Sequence, residues 1–273
     1  MIRLLFALMF IATTASAQDR RPSHCIAVAD AAPGMEYLHK ASWNAPLPDD
    51  YTVRLHYIAH ASFLLHTPGG LNAITDFTGF FGNTEMVPDV VTMNHAHDTH
   101  WTPFPDPAIP HVLQGWGEEF GAGIEHYLDL GEMVVRNVST DIRSGRGLEI
   151  KGNSIFVFEV GGLCIGHLGH LHHEPDDMQY AALGRLDVVM APVDGGFTMS
   201  QDAMIRVLQR LKSSVIIPMH WFSDFGLERF VAGMQEQFDI QRPGGSSIEI
   251  SLATLPRRPT VVILRPSWLR DEE

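Results

Sequence analysis

The 273-residue chain reads as an α/β protein with two mixed β-sheets packed face to face and helices outside them. Two observations predict this. Short apolar strand candidates meander through each half of the chain, and helical patterns alternate with them in the second half. A third observation says where function sits. Eight of the 15 histidines fall just after three apolar strand candidates, and strand ends are where a sheet presents side chains on a fixed backbone.

Residues 1–17 have the pattern of a secretory signal. Arg3 is the basic start, Leu4 to Ile11 the apolar stretch, and Ala15-Ser16-Ala17 the small-residue cleavage site. That stretch is too short to span a hydrocarbon core of about 30 Å. Export to the periplasm or the medium, with cleavage after Ala17, is therefore expected. Residues 18–50, rich in Pro, Ala and Asp, form an N-terminal extension that wraps the domain, and residues 51–273 form the domain itself.

Within the domain, Tyr51 to His56 and Ser62 to Leu65 read as strands. Pro68-Gly69-Gly70 turns the chain into Leu71 to Asp76, and Pro88-Asp89 opens the strand Val90 to Met93. Pro103, Pro105, Pro107 and Pro110 mark a loop before strands at His111 to Gln114 and Met133 to Val138. Ser154 to Val160 and Leu163 to Gly166 form a hairpin, and Asp187 to Val193 is a buried strand. Thr198 with Gln201 predicts a capping box for a helix whose Met204, Val207, Leu208 and Leu211 form a core stripe. Val215 to Met219 is buried, Phe225 to Phe238 is helical, and Ile248 to Leu252 and Thr260 to Leu264 close the domain as strands.

The net charge is −13, and removing the signal takes away Arg3 and no acid, leaving −14. A field of that sign disfavours nucleic acid and anionic membranes. The expected partner is a small molecule; no membrane association is expected after cleavage, and the oligomeric state is left open. Cys25 and Cys164 are too few for a thiolate zinc cage. Export permits a disulfide between them, but Cys164 sits in an apolar strand, where a buried free thiol is the favoured reading. No G-x-S-x-G elbow, P-loop or dinucleotide fingerprint occurs in a suitable context.

The densest chemistry is Asn94-His95-Ala96-His97-Asp98-Thr99-His100, directly after Val90 to Met93. Neutral imidazole is the commonest metal ligand, and three within six residues converge easily. Similar clusters end two other strands, with His167, His170, His172 and His173 after Leu163 to Ile165, and His220 after Val215 to Met219. His95, His97, His100, His170 and His220 are the expected ligands of a divalent transition metal. Zinc is the first expectation, manganese or iron the alternatives, with one or two ions. His60 reads as a core or supporting residue, and His172 and His173 as a solvated pair beside Glu174. Only one of His167 and His170 should face the metal, and His170 is chosen. Trp101 and Trp221 follow ligand histidines and are read either as pocket walls or as core.

These motifs resemble the metallo-β-lactamase superfamily, in its ascorbate-6-phosphate lactonase-like branch. The matching pieces are Ile58-Ala59-His60-Ala61-Ser62-Phe63-Leu64, the strand ending in Asp76, His95 to His100, Gly166-His167-Leu168-Gly169-His170, Ala191 to Met199, and Ile217-Pro218-Met219-His220. The resemblance implies an αββα sandwich with metal at one edge. It makes His95 and His97 first-metal ligands, His100 and His220 second-metal ligands, and Asp76 a carboxylate that orients a ligand. Thr99 stands where the family has an aspartate, and His170 where it has a bridging carboxylate. The family's other histidine should fall near Thr140 to Arg146, where only Asp141 is a substitute.

The implied function is an exported metal-dependent hydrolase in which metal-activated water attacks an ester, lactone or phosphodiester, with Asp98 or Asp194 assisting proton transfer. The alternative is a non-catalytic metal- or ligand-binding descendant of the fold. If the signal is cut where expected, the intact mass of the exported protein will match a chain starting at Gln18; a mass retaining Met1 to Ala17 refutes it.

Overall fold

Alternation along β1 (Val53–Ala59) sets the architecture. Val53, Leu55 and Tyr57 enter the main core, while Arg54, His56 and Ile58 lie on the opposite face. The computed structural model describes residues 20–26, 42–97, 99–145 and 147–271. The expected signal peptide, most of the expected extension, and Asp98 lie outside the described residues.

After β1 come β2 (Ser62–His66), β3 (Asn72–Ile74), β4 (Gly82–Asn83), β5 (Val90–Met93), β6 (His111–Gln114) and β7 (Tyr127–Asp129). A long hairpin follows, β8 (Met133–Ser144) and β9 (Gly147–Val160), then β10 (Leu163–His167) and α1 (Asp177–Leu183). The chain continues through β11 (Val188–Pro192), α2 (Gln201–Leu211), β12 (Val215–Met219) and α3 (Asp224–Met234). It closes with β13 (Asp239–Gln241), β14 (Ser247–Ile250), β15 (Thr260–Val262) and β16 (Leu269–Arg270). One sheet has the order β14-β1-β2-β3-β5-β6 and the other β13-β15-β12-β11-β10-β9-β8-β7, while β4 and β16 form a small ribbon. The strands that end at the histidine clusters run parallel to their neighbours β3–β5–β6 and β10–β11–β12, so their C-terminal ends gather at one edge.

Between the sheets, Leu55, Tyr57 and Phe63 meet Phe158, Met190 and Ile217 in one apolar layer. Each such side chain gains roughly 1.5–3 kcal/mol from leaving water. The outer face of the second sheet is covered by α2 and α3 through Met204, Val207, Leu208, Leu227 and Phe230. The predicted stripe is thus core, with Leu211 at its partly buried end. The outer face of the first sheet is closed by loop residues, among them Phe77, Ile109, Trp101 and Trp116, so the described helices lie on one side of the sandwich. None of them is long and apolar enough to cross a membrane.

Three local expectations are corrected. Ser200, not Thr198, caps α2 by accepting from the Ala203 amide, because the Thr198 hydroxyl is taken by Asp194. Helix α1, missed in the sequence, carries its own capping box from Asp176 and Gln179. The β8–β9 hairpin extends past the sequence boundaries, pairing Ile142 with Glu149 and Arg143 with Leu148. Its outer half is polar and partly exposed, so it lacks the apolar run that marks a buried strand.

The segment 20–26 is tied across the second sheet. Arg21 donates to the Gly131 carbonyl, Ser23 to Glu159, and Cys25 is disulfide-bonded to Cys164. This corrects the free-thiol reading. Apolar surroundings bury a disulfide as readily as a thiol, and Cys25 reaches the site because the extension crosses β9 and β10. The bridge joins residues 139 apart in sequence. Closing so long a loop should stabilise the fold by roughly 2–5 kcal/mol. The variant Cys25→Ser, Cys164→Ala should therefore unfold at clearly lower denaturant than the wild type; equal midpoints would show that the bridge contributes nothing.

Candidate metal centre

Four strand ends from both sheets meet at one edge. His60 sits at the β1–β2 corner, His97 and His100 follow β5, His170 follows β10, and His220 follows β12. The His220 amide donates to the His60 carbonyl at 2.8 Å, which locks the two sheets together at the site. Ring centroids lie 4.1 Å apart for His60 and His220, 5.1 Å for His60 and His100, and 5.1 Å for His100 and His220. One nitrogen from each of the three fits within 4.8 Å of the others.

Two buried carboxylates fix the tautomers. His100 Nδ1 bonds Asp76 Oδ2, and His220 Nδ1 bonds Asp194 Oδ2 at 3.0 Å. These four side chains are 2 % exposed or less. A carboxylate only accepts, so each Nδ1 carries the proton and each Nε2 presents a lone pair. The two Nε2 atoms face each other at 3.3 Å. Two lone pairs at that distance repel unless a cation bridges them, and the buried Nε2 of His60 has no hydrogen-bond partner among the described residues. Nitrogens bound to one tetrahedral Zn²⁺ at about 2.0–2.1 Å lie roughly 3.3 Å apart. The donor set therefore fits a divalent ion held by His60, His100 and His220.

Electrostatics agree. Burial, then the neighbouring His220 and His100, push His60 down to about 4, so its ring is neutral at pH 7. Burial alone would raise Asp194, but hydrogen bonds from His220, Thr198 and Gly196 outweigh it and hold the carboxyl well below the usual range. Asp76 is likewise lowered, its burial offset by His100 beside it.

The remaining candidates fall into place around this cluster. His97 lies 5.6 Å from His100 and 5.7 Å from His170, ring to ring. His95 turns its Nδ1 to the Gly152 carbonyl and lines the cavity outside the tight group. His170 packs 4.5 Å from His100, but its tautomer is set elsewhere. The Arg143 amide donates to His172 Nδ1 at 2.8 Å, so His172 carries its proton on Nε2 and donates it to His170 Nδ1 at 3.0 Å. His172 is pushed down to about 4 by burial and then by Arg143, and His170 is lowered further by burial and the surrounding histidines. With both rings neutral, His170 has its proton on Nε2 and is a donor there. His170 Nδ1 is thus engaged by His172, and the reading of His172 as part of a solvated pair is corrected, because it is half-buried and bonded on both ring nitrogens.

His167 does face away, bonding the Ala61 carbonyl, as expected. The reason is a turn at Gly169 (φ 61) rather than strand alternation. A Cβ there would sit 2.3 Å from Asn94 Nδ2, so glycine alone lets the His170 loop close on β5. Asp194 does not act as a proton carrier in this arrangement, because its oxygens accept from Gly196, Phe197, Thr198 and His220. Asp141 accepts from the Lys151 amide in the hairpin and lies off the cavity lining. Thr99 is exposed, with its hydroxyl 3.3 Å from His97 Nδ1. Trp101 packs against Trp116 on the first sheet's outer face, and Trp221 packs against the helical layer. The aromatic walls of the cavity are instead Phe197 and Phe222, which the sequence reading missed. His60 was missed as a candidate ligand too. Its only sequence signal is its position at the end of an apolar run.

The model of the beta-lactamase superfamily domain matches residues 54–220, from β1 to the last histidine of the cluster. The chain belongs to this superfamily. A UPF0173 metal-dependent hydrolase of Nanoarchaeum equitans is 26% identical over 188 residues, spanning 62% of this chain and 84% of that protein. Another, of Methanosphaerula palustris, is 25% identical over 225 residues, spanning 72% of this chain and all of the relative. A solved metallo-β-lactamase-superfamily protein from Thermotoga maritima shares the fold, with a TM-score of 0.56 at 23% identity over 78% of this chain and 98% of that one. These likenesses identify the superfamily and do not single out the ascorbate-6-phosphate lactonase-like branch.

Asp76 has φ 50, a conformation asparagine tolerates, so Asp76→Asn tests the orienting carboxylate with little backbone cost. Losing such a carboxylate behind a candidate ligand histidine should weaken divalent-metal binding by roughly 10–100-fold. Competition against a chromophoric chelator, with circular dichroism as the folding control, measures it; unchanged affinity would remove Asp76 from the metal site.

Proposed function

We propose that the protein is an exported, metal-dependent hydrolase of small-molecule esters, lactones or phosphodiesters. The observation that carries this reading is the pair of carboxylate-backed imidazoles with facing lone pairs. The relatives named metal-dependent hydrolases support it, and the Cys25–Cys164 disulfide supports an oxidising compartment. His60, His100 and His220 would hold the ion, with His97 at the open side. When bound, the ion supplies Lewis-acid polarisation of the electrophile and acidifies water near pH 7.

The chain's own groups do the rest. Asp76 and Asp194 fix the ligand rings so that no reorientation is needed on binding. His170 offers an N–H toward the cavity, where it can donate to an oxygen that gains negative charge. His172, held by the Arg143 amide, keeps that proton on the correct nitrogen. Phe197 and Phe222 give an apolar side to a cavity of about 460 Å³.

Zinc-loaded protein should contain one tight ion per chain and turn over at least one generic ester, lactone or phosphodiester. Dialysis against a chelator should abolish turnover and re-addition restore it. His220→Ala should lose both ion and turnover by about 100-fold or more while keeping its circular dichroism. Metal bound with no turnover across the panel would favour the non-catalytic binder.

A further inference from the structure

The cavity beside the histidines has a fixed cation that the hydrolytic reading leaves unused. Arg143 sits near the tip of the β8–β9 hairpin and lines the cavity that Phe197 and Phe222 also line. Its Nη2 donates to the Thr198 carbonyl and its Nε approaches His172 Nδ1 at 3.4 Å. Its Nη1 has no partner among the described residues, and Arg143 forms no ion pair with a described carboxylate. Arg229, Arg257 and Arg270 are the other described arginines without an ion pair, and none of them lines this cavity. Arg136 and Arg54 are paired with Glu159 and Glu249, and Arg206, Arg210, Arg242, Arg258 and Arg265 also pair with acids. A guanidinium left unpaired in a chain of net charge −13 is not short of acids to pair with.

The rest of the lining fits the same ligand. The described side chains around the cavity include no carboxylate; Asp76 and Asp194 lie behind their histidines, spent on them. Arg143 is held at two points, so it is already oriented, and its free N–H groups match a planar or tetrahedral oxyanion. In the same lining, Phe197 is 69% and Phe222 61% exposed, with rings 5.4 Å apart in an edge-to-face pair. Paired in the cavity lining, the two rings offer a joint apolar surface for the apolar part of a ligand. Phe197 is placed there by Asp194, which accepts its amide.

We infer that the substrate is an organic anion: a carboxylate or phosphate group bound by Arg143, an apolar portion against Phe197 and Phe222, and the bond to be broken at the histidines. This rests on the hydrolase reading and narrows its substrate class. Arg143 is the specificity-determining residue, and its part is in binding rather than in the chemistry.

Two esters of similar length test it, 4-nitrophenyl butyrate and mono-4-nitrophenyl glutarate, which differ by a carboxylate. With wild type, Arg143→Ala and Arg143→Lys, the readout is the ratio of kcat/KM for the anionic to the neutral ester. We expect Arg143→Ala to lower that ratio about tenfold or more, chiefly through KM, and Arg143→Lys to recover most of it. A role confined to bracing the hairpin would lower both esters together and leave the ratio unchanged, which would overturn the inference. Should neither ester react, calorimetric binding of 3-phenylpropionate and phenyl phosphate to the zinc-loaded protein decides separately. A Kd about tenfold weaker in Arg143→Ala supports the anion site even if the hydrolase reading fails, and equal values refute it. The tighter of the two probes tells carboxylate from phosphate.

Discussion

Two imidazoles held nitrogen to nitrogen across the gap between two sheets constrain the rest of the site. His100 comes from the first sheet and His220 from the second, and their Nε2 atoms stand 3.3 Å apart. Neither ring chooses that position. Asp76 holds one from behind and Asp194 holds the other. Asp194 is itself fixed by three amides and a hydroxyl in the loop before α2. The chain of dependence runs from that loop's turn chemistry, through a buried carboxylate, to the direction of a lone pair.

The backbone carries strain at the same place. Five described non-glycine residues have positive φ, and three of them are His60, Asp76 and His220. Each such residue costs roughly 1–2 kcal/mol against an ordinary conformation. The structure holds them because neighbouring groups over-determine them. His60 accepts from the His220 amide and from the Tyr57 hydroxyl, and Asp76 accepts from Ser62 through its carbonyl. Strain concentrated at the ends of three strands, all pointing into one cluster, is what a site shaped for binding rather than for stability looks like.

Much of the fold was legible because buried strands write themselves plainly. Val90–Met93 and Val215–Met219 were located to the residue, since each is an apolar run cut off by a turn residue or histidines, and His111–Gln114 because Pro110 and Gly115 bound it. The outer hairpin and α1 were not, because their stability comes from pairing and capping rather than from an apolar pattern. In the site, His100, His220 and Asp76 were visible as strand-end residues. The roles of His60 and His172 were not, because each depends on a partner far away in sequence. His60 needs the β12 end, and His172 needs the Arg143 amide 29 residues earlier. Tautomers are set by such long-range bonds, so a list of histidines cannot say which are ligands and which are donors.

Replacing carboxylates by histidine has a further electrostatic consequence. The described lining offers no carboxylate to a second cation, while Asp76 and Asp194, behind their histidines, offset the charge of one. Two such ions close together would repel strongly in a partly dry cavity, which favours one. What acts on an entering ligand is the face of the cavity that carries Arg143 and no described carboxylate. It raises the attraction for an oxyanion over short range, where the bulk field of a −13 chain is screened within about 8–10 Å by salt. Long-range repulsion slows the approach of an anion, whereas short-range attraction governs how long it stays. Arg143 adds to the second without altering the first much, so its effect belongs in affinity rather than in encounter rate.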